Sequence, residues 1–268
     1  MIKLKDIKMK KIGLVLVLLF GLMFISCGEA VSVKTDLENY NVKGRVKQIN
    51  EMVRNMPDAE RFAMADSTEG EKYDITRVYK FNEGGYVTEM VVTNQNSTTQ
   101  QKCLYDKDGV LTMIEMYQDD KLVRTLIHRY SAVGQLTSVT SISAGEEKIE
   151  VATFFEYDKD GNVLKEINKD ADGNKMSEMI YTYDAKGRKT SSKNIQSGGY
   201  SDDIETLYRY NDAGDISQIE TKDNFLKEST YQDFRYYDSD KEGNWTRRET
   251  IFMQGRLQET KREYEYYE

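Results

Sequence analysis

The chain has 268 residues, a formal net charge of −8, 38% apolar side chains, 19 tyrosines, one histidine, two cysteines and one proline, Pro57. The acidic balance argues against nucleic acid and anionic lipid surfaces as direct partners, because both reward positive patches. One histidine leaves triad chemistry without a base and its orienter in any recognisable spacing.

In chain order, Lys3, Lys5, Lys8, Lys10 and Lys11 precede an apolar run from Ile12 to Ile25 that only two glycines interrupt. A helix spanning the membrane needs about 20 apolar residues, so this shorter run reads as a secretory leader. Met9 opens a tidier leader than Met1, and the mature chain is the same from either start. The run ends in Phe24-Ile25-Ser26-Cys27, which resembles the lipobox of bacterial lipoproteins, with Phe24 where leucine is more usual. That resemblance implies cleavage before Cys27 and acylation of its sulfur and amine. Cys27 is thus the expected lipid (palmitate) attachment residue, tethering the protein to the cell envelope, with the outer membrane favoured. Without residues 1–26 the chain keeps 33 basic and 45 acidic residues, net −12, and besides Cys27 a single cysteine, Cys103, which has no partner for an internal disulfide.

The remainder divides into a linker, 27–39, and a single repeat domain, 40–268, with a polar insertion near 57–72. The repeat consists of an aromatic anchor, an Asx-like residue and a glycine four positions after the anchor. It occurs at Phe81-Asn82…Gly85, Tyr105-Asp106…Gly109, Tyr130-Ser131…Gly134, Tyr157-Asp158…Gly161, Tyr183-Asp184…Gly187 and Tyr210-Asn211…Gly214. Successive glycines are 24, 25, 27, 26 and 27 residues apart. Tyr40-Asn41…Gly44 reads as a degenerate first copy, Tyr237-Asp238…Gly243 as a copy with a longer turn, and Tyr266 as the start of a truncated last one.

Each position has a physical role. Tyr79, Cys103, His128, Phe155, Tyr181, Tyr208, Arg235 and Tyr264 stand two residues before their anchors, hence on the same strand face. The Asx residue bonds its own backbone and the glycine supplies a positive φ. Two residues past the glycine a large apolar residue packs back across the pair, as Val163 or Trp245 does; Lys189 alone breaks this rule. One repeat is therefore one β-hairpin, and variable turns such as Gln118–Lys121 and Lys169–Asn174 lead to the next. The predicted fold is all-β: tandem antiparallel hairpins of about 26 residues in a long, twisted, curled meander sheet or partly closed barrel or spiral.

The phrase Y-D-x-x-G-x-hydrophobic, best at Tyr157–Val163 and Tyr183–Arg188, resembles the YD repeat of rearrangement-hotspot (RHS) proteins. Val42–Lys47 and Gly243–Arg248 resemble the opening and closing phrases of small secreted lipoproteins with such repeats. The kinship implies a sheet of successive hairpins that, in large relatives, coils into a hollow shell.

Individual residues point mostly to structure. His128 and Cys103 occupy an aromatic slot of the repeat and read as packing residues. Acidic pairs such as Asp158 and Asp160 follow the turns. Asn168-Lys169-Asp170-Ala171-Asp172-Gly173 matches the first half of a calcium loop, with Met179 at its twelfth position in place of the usual glutamate. No catalytic, cofactor or metal constellation is read. The functional expectation is a non-enzymatic, lipid-anchored envelope protein presenting a curved β surface for binding or scaffolding of a protein or glycan ligand. Two alternatives stand beside it: a glycan-binding accessory lipoprotein using exposed tyrosines, and an immunity-type relative of RHS toxin systems.

Overall fold

The computed structural model describes residues 35–56, 73–146, 149–197, 204–224 and 226–268. The leader, Cys27 with its expected lipid, and the 57–72 insertion lie outside the described residues. A short helix, α1 (Asp36–Asn39), is followed by β1 (Val46–Met56), β2 (Ile75–Phe81), β3 (Val87–Asn94) and β4 (Thr98–Tyr105). Next come β5 (Leu111–Gln118), β6 (Lys121–Tyr130), β7 (Leu136–Ser143), β8 (Ile149–Tyr157), β9 (Val163–Asp170) and β10 (Lys175–Tyr183). The chain ends with β11 (Lys189–Gln196), β12 (Ile204–Tyr210), β13 (Ile216–Asp223), β14 (Glu228–Ser239), β15 (Trp245–Phe252) and β16 (Leu257–Tyr266).

Each strand pairs antiparallel with its chain neighbours, and β1 also pairs with β16, so the meander closes into a sixteen-stranded barrel. Closure goes further than the predicted partial curl, for a physical reason: the register from Val46↔Tyr266 to Met56↔Leu257 satisfies both edges that an open array would leave unpaired. With neighbouring strands ~4.8 Å apart, sixteen of them enclose a lumen about 25 Å across between backbones, before any strand tilt. Barrels of this strand number leave an aqueous channel rather than a packed interior.

The repeat turns all lie at one end. In the turn at Asp158, the Asp158 N–H donates to Asn162 O (2.9 Å) and the Gly161 N–H donates back to Asp158 O (3.2 Å). The side-chain Oδ1 of Asp158 accepts from the N–H groups of Asp160 and Asn162, and Gly161 has φ +82°, where a Cβ is strained. Six of these hairpins carry a register shift immediately before the anchor, as between Glu156 and Tyr157, a β-bulge that re-aims the ring.

Period-two alternation, carried around the barrel by the register, separates two faces. One bears Ile49, Tyr79, Met90, Cys103, Ile114, His128, Val139, Phe155, Tyr181 and Tyr208. This is the lumenal face. Leu37 of α1 packs on Ile49, Tyr79, Phe81 and Met90, and the Tyr40 hydroxyl feels both Arg262 on β16 and Cys103 on β4, which only a concave wall allows. Among the described residues, buried apolar side chains form two clusters on opposite walls, one around Val46, Ile49 and Phe81, the other around Leu136, Phe155 and Tyr181, with Val53, Ile114 and Trp245 buried outside them.

The anchor tyrosines act through their hydroxyls. Tyr105, Tyr130, Tyr157, Tyr183 and Tyr210 donate to the main-chain carbonyls of Val87, Leu111, Leu136, Val163 and Lys189 at 2.7–2.9 Å. Each acceptor opens the second strand of the preceding hairpin. Between β7 and β8, for example, main-chain pairing stops at Ser138↔Phe154, and the Tyr157 side chain bridges the space beyond it to Leu136. Tyr236 and Tyr264 continue the series to Ile216 O and Trp245 O, and Tyr267 closes it by donating to Phe81 O.

Three assignments of the repeat are corrected. Tyr40-Asn41…Gly44 is not a hairpin: Tyr40 is the C-cap of α1, Asn41 has φ +53°, and the segment lies across the barrel mouth. Residues 35–39 just before it are bonded to the barrel, since the Leu37 N–H donates to Gly85 O and Asp36 accepts from the Val87 N–H. In the Gly243 copy the Asx residue is Asp240 and the inward tyrosine is Tyr236. A positive-φ residue, Asp238, shifts the phase, so Tyr237 and Arg235 face outward, where Tyr237 bonds Glu249. Likewise Tyr264 carries the ladder bond in the last copy, while Tyr266 bonds Asp240 and Asn244.

Replacing Tyr157 by phenylalanine strands the Leu136 carbonyl and lowers unfolding stability by about 1–2 kcal/mol, read from the midpoint of a urea titration. Tyr237→Phe, on the outer face, costs less than about 0.5 kcal/mol in the same assay.

Candidate functional site

The lumenal wall is the concave, chemically diverse surface of this protein. Two groups of charged side chains stand out on it among the described residues. On the wall formed by β15, β16, β1 and β2, Glu51 accepts from Arg77 Nη1 (2.5 Å) and from Arg262 Nε (2.9 Å). The Arg262 guanidinium stands 3.9 Å from the Trp245 ring centre, and that of Arg248 lies 5.1 Å from Trp245 and 5.2 Å from Phe234. The cross-strand register brings these groups together: Glu51 faces Arg77 on one side and Arg262 on the other. Burial pushes the Glu51 carboxyl up, and Arg262, Arg77 and Arg248 together overcome it, leaving it below the usual carboxylate range. Desolvation opposes the charge of Arg262, but Glu51 and Tyr264 outweigh it and its pKa is raised.

The second group lies on the opposite wall, β9 to β12. Tyr181 donates to Glu166 Oε1 (2.9 Å), and Lys189 Nζ lies 3.7 Å from the Tyr181 ring centre. Lys189 is the residue that broke the apolar rule of the repeat; here it replaces an aliphatic contact with a cation over a ring. Burial pushes Glu166 up and Lys189 down, each toward its neutral form. Ser192 and Tyr208 share a hydrogen bond of 3.2 Å beside them.

One mouth is partly covered by the segment from Thr35 to Arg45. Asn41 donates to Asp215 Oδ1 (2.8 Å), and Lys43 N–H donates to Asn244 Oδ1 (2.7 Å) while Asn244 returns a bond to Lys43 O (2.9 Å). Beneath this strap a cleft of about 190 Å³ is lined by Asn41, Lys43, Asp215, Tyr236, Asn244 and Trp245.

The residues singled out in the sequence are dispersed. His128 and Cys103 lie on the lumenal face, in their aromatic slots. His128 is buried, and desolvation lowers its pKa to about 4; burial raises the Cys103 thiol to about 12, leaving little nucleophilic thiolate. Asp170 accepts from the N–H groups of Asp172 and Asn174, as in the repeat turns, whereas Asn168 points into the lumen between Thr153 and Ser177. The calcium-loop residues are thus divided between a turn and the barrel wall, and among the described residues no cluster of His, Cys, Asp and Glu suits a metal ion. Of the tyrosines, Tyr40 and Tyr231 are the exposed ones among the described residues, whereas the ladder hydroxyls are committed to carbonyls. The arginine wall went unnoticed in the sequence because Glu51, Arg77, Arg248 and Arg262 belong to three distant segments that only closure of the barrel brings together.

The outward face is mixed: β4 to β8 turn Leu104, Met113, Ile127 and Phe154 outward, while other sectors are charged. Around β14 to β16 it carries Asp233, Arg235, Arg247, Glu249, Glu259, Lys261, Glu263 and Glu265. Glu259 is covered there by Arg54 (3.0 Å) and Arg247 (2.8 Å). Charged and polar residues continue on other strands, as at Lys80, Glu89 and Lys102 and at Lys165 and Glu178.

No family model matches the chain, and no curated protein does. Among solved structures, a porin-like protein from Bacteroides uniformis ATCC 8492 is similar with a TM-score of 0.51 at 10% identity, over 82% of this chain and 96% of that one. A porin-like protein from Bacteroides vulgatus ATCC 8482 gives a TM-score of 0.35 at 10% identity, over 84% and 99% of the two chains. A chain of the Photorhabdus luminescens Tc holotoxin pore gives 0.31 at 13% identity, over 78% of this chain and 13% of that one. The first of these supports a related barrel fold; at such identities the likeness is one of architecture.

Two outcomes follow from the wall electrostatics. Glu51→Gln leaves Arg77 and Arg262 without the carboxylate they share and lowers stability by about 3 kcal/mol in denaturant titrations. Protonating His128 costs more in the folded protein than in the unfolded chain, so its contribution is full above pH ~6.5 and declines as the pH falls toward about 4. Melting temperatures of the protein and of His128→Tyr, which carries the ring other repeats use, therefore converge or cross as the pH is lowered through this window.

Proposed function

We propose that this protein is a lipid-anchored component of the cell envelope whose barrel stands outside the bilayer and binds a ligand on its lumenal wall without chemically transforming it. The observation that carries this reading is the polarity of the two faces. A membrane-spanning barrel turns an apolar band to lipid and polar groups to its lumen. Here aromatic rings line the lumen, and ionised side chains occupy the outward rows of β14 to β16, while β4 to β8 also turn Leu104, Met113, Ile127 and Phe154 outward. A lysine or arginine facing lipid near the midplane costs about 2–4 kcal/mol, and the outward rows of β14 to β16 alone contain Arg235, Arg247 and Lys261. A barrel of this polarity needs a separate tether to stay at a membrane, and acylated Cys27 supplies it.

The repeat itself supports kinship with YD-repeat proteins through function in the fold. The tyrosine tethers the preceding hairpin, the aspartate closes the turn, and the glycine adopts its positive φ. Binding rather than catalysis is favoured because the charged groups of the lumen, Glu51 with its arginines and Glu166 with Tyr181 and Lys189, are already paired with one another or with rings.

Labelled palmitate should enter the protein and not its Cys27→Ala variant. That variant should be recovered folded in the soluble envelope fraction without detergent. Retention of Cys27→Ala in the membrane pellet, with solubility only in detergent, would overturn the placement outside the bilayer.

A further inference from the structure

The arginine wall carries an inference that rests on, and deepens, the reading of the lumen as a binding surface. In a chain with net charge −8, three guanidinium groups on adjacent strands, Arg77, Arg248 and Arg262, converge on one carboxylate, Glu51. The other acidic groups near this sector are held at the rim. Asp36 accepts from the Val87 N–H, Asp215 from Asn41, and Asp240 from its own turn and Tyr266. Both oxygens of Glu51 are taken, one by Arg77 and one by Arg262; Arg248 forms no ion pair among the described residues, and its polar contacts are Thr260 Oγ1 at 3.4 Å and the Tyr236 hydroxyl. Nε of Arg77, Nε of Arg248 and the hydroxyl of Thr250 have no hydrogen-bond partner, and all three belong to the lumenal face. A wall that gathers more cations than anions and leaves buried donors unsatisfied is short of acceptor oxygens. The guanidinium fork supplies paired donors suited to an oxyanion.

We propose that this wall binds a compact oxyanion, the carboxylate, sulfate or phosphate group of a ligand that enters the barrel, through Arg248 together with Arg77 and Arg262. Trp245 is the sole tryptophan and touches two of these guanidinium groups, so its fluorescence reports on the site directly.

The test titrates the full-length protein with sodium sulfate, phosphate or acetate at ionic strength held constant with sodium chloride, following Trp245 emission. A saturable change is expected, weakened at least tenfold in Arg248→Gln and in Arg77→Gln, and retained in Arg129→Gln, which removes a charge from the outer face. Far-UV circular dichroism establishes that each variant is folded; either of the two lumenal variants suffices. A preference for sulfate and phosphate over acetate identifies a tetrahedral anion, and the reverse a carboxylate. No saturable change with any of the three, or equal weakening by Arg129→Gln, would overturn the oxyanion site. Saturable quenching by neutral oligosaccharides alone would also overturn it, while leaving lumenal binding intact.

Discussion

Pairing of the first strand with the last is the constraint on which this structure depends. An array of hairpins extends indefinitely in principle and exposes main-chain donors and acceptors at both ends. Here β1 and β16 meet over the full length of β1, turning an open repeat into an object of defined size. The flanking residues reinforce closure: the Tyr267 N–H donates to Arg45 O, the Tyr267 hydroxyl reaches Phe81 O, and Lys47 pairs with Glu265 at 2.6 Å. The most elaborate side-chain networks gather at this seam, Glu51 with Arg77 and Arg262 inside, Glu259 with Arg54 and Arg247 outside. Other charge networks lie away from the seam, such as Glu156, Lys165, Glu178 and Lys175 on β8 to β10. At the seam the first and last strands meet without a turn between them, and charge pairing sets its register against slippage.

Within the wall, tyrosine resolves a geometric problem. Each repeat turn holds its own two strands together, but neighbouring hairpins lose main-chain pairing at that end. The anchor hydroxyl replaces the missing rungs, reaching a carbonyl of the preceding hairpin, while the ring stays in the lumenal layer beside its neighbours. Phenylalanine supplies the ring without the bond, which is why the excess of tyrosine is a structural signature here. It also explains how a chain poor in large aliphatic residues sustains a wall around a wide lumen.

A large lumen with fixed walls separates the chemistry of its sides. Across the barrel from the arginine wall stand Glu166, Tyr181 and Lys189, and the strap from Thr35 to Arg45 covers part of one mouth over both the apolar cluster and the Trp245 cleft. The interior therefore presents a cationic side, an opposite wall rich in tyrosine rings and a partly covered entrance.

Much of this was legible in the sequence. The beat of about 26 residues, the Asx-and-glycine turns and the shared face of anchor and predecessor all follow from local rules, because hairpin chemistry and period-two alternation act over a few residues. The degenerate copies misled for the same local reason: Tyr40-Asn41 caps a helix with the residue types that also close a hairpin, and one extra residue near Asp238 moved the inward position from Tyr237 to Tyr236. What the sequence by itself determined was therefore the unit, its turns and the side each ring would take. Tertiary structure alone decided the closure, the hydroxyl ladder, the strap across the mouth and the meeting of Glu51 with Arg77, Arg248 and Arg262. Those depend on the number of hairpins, their curvature and the register of strands some 200 residues apart, which no local pattern encodes.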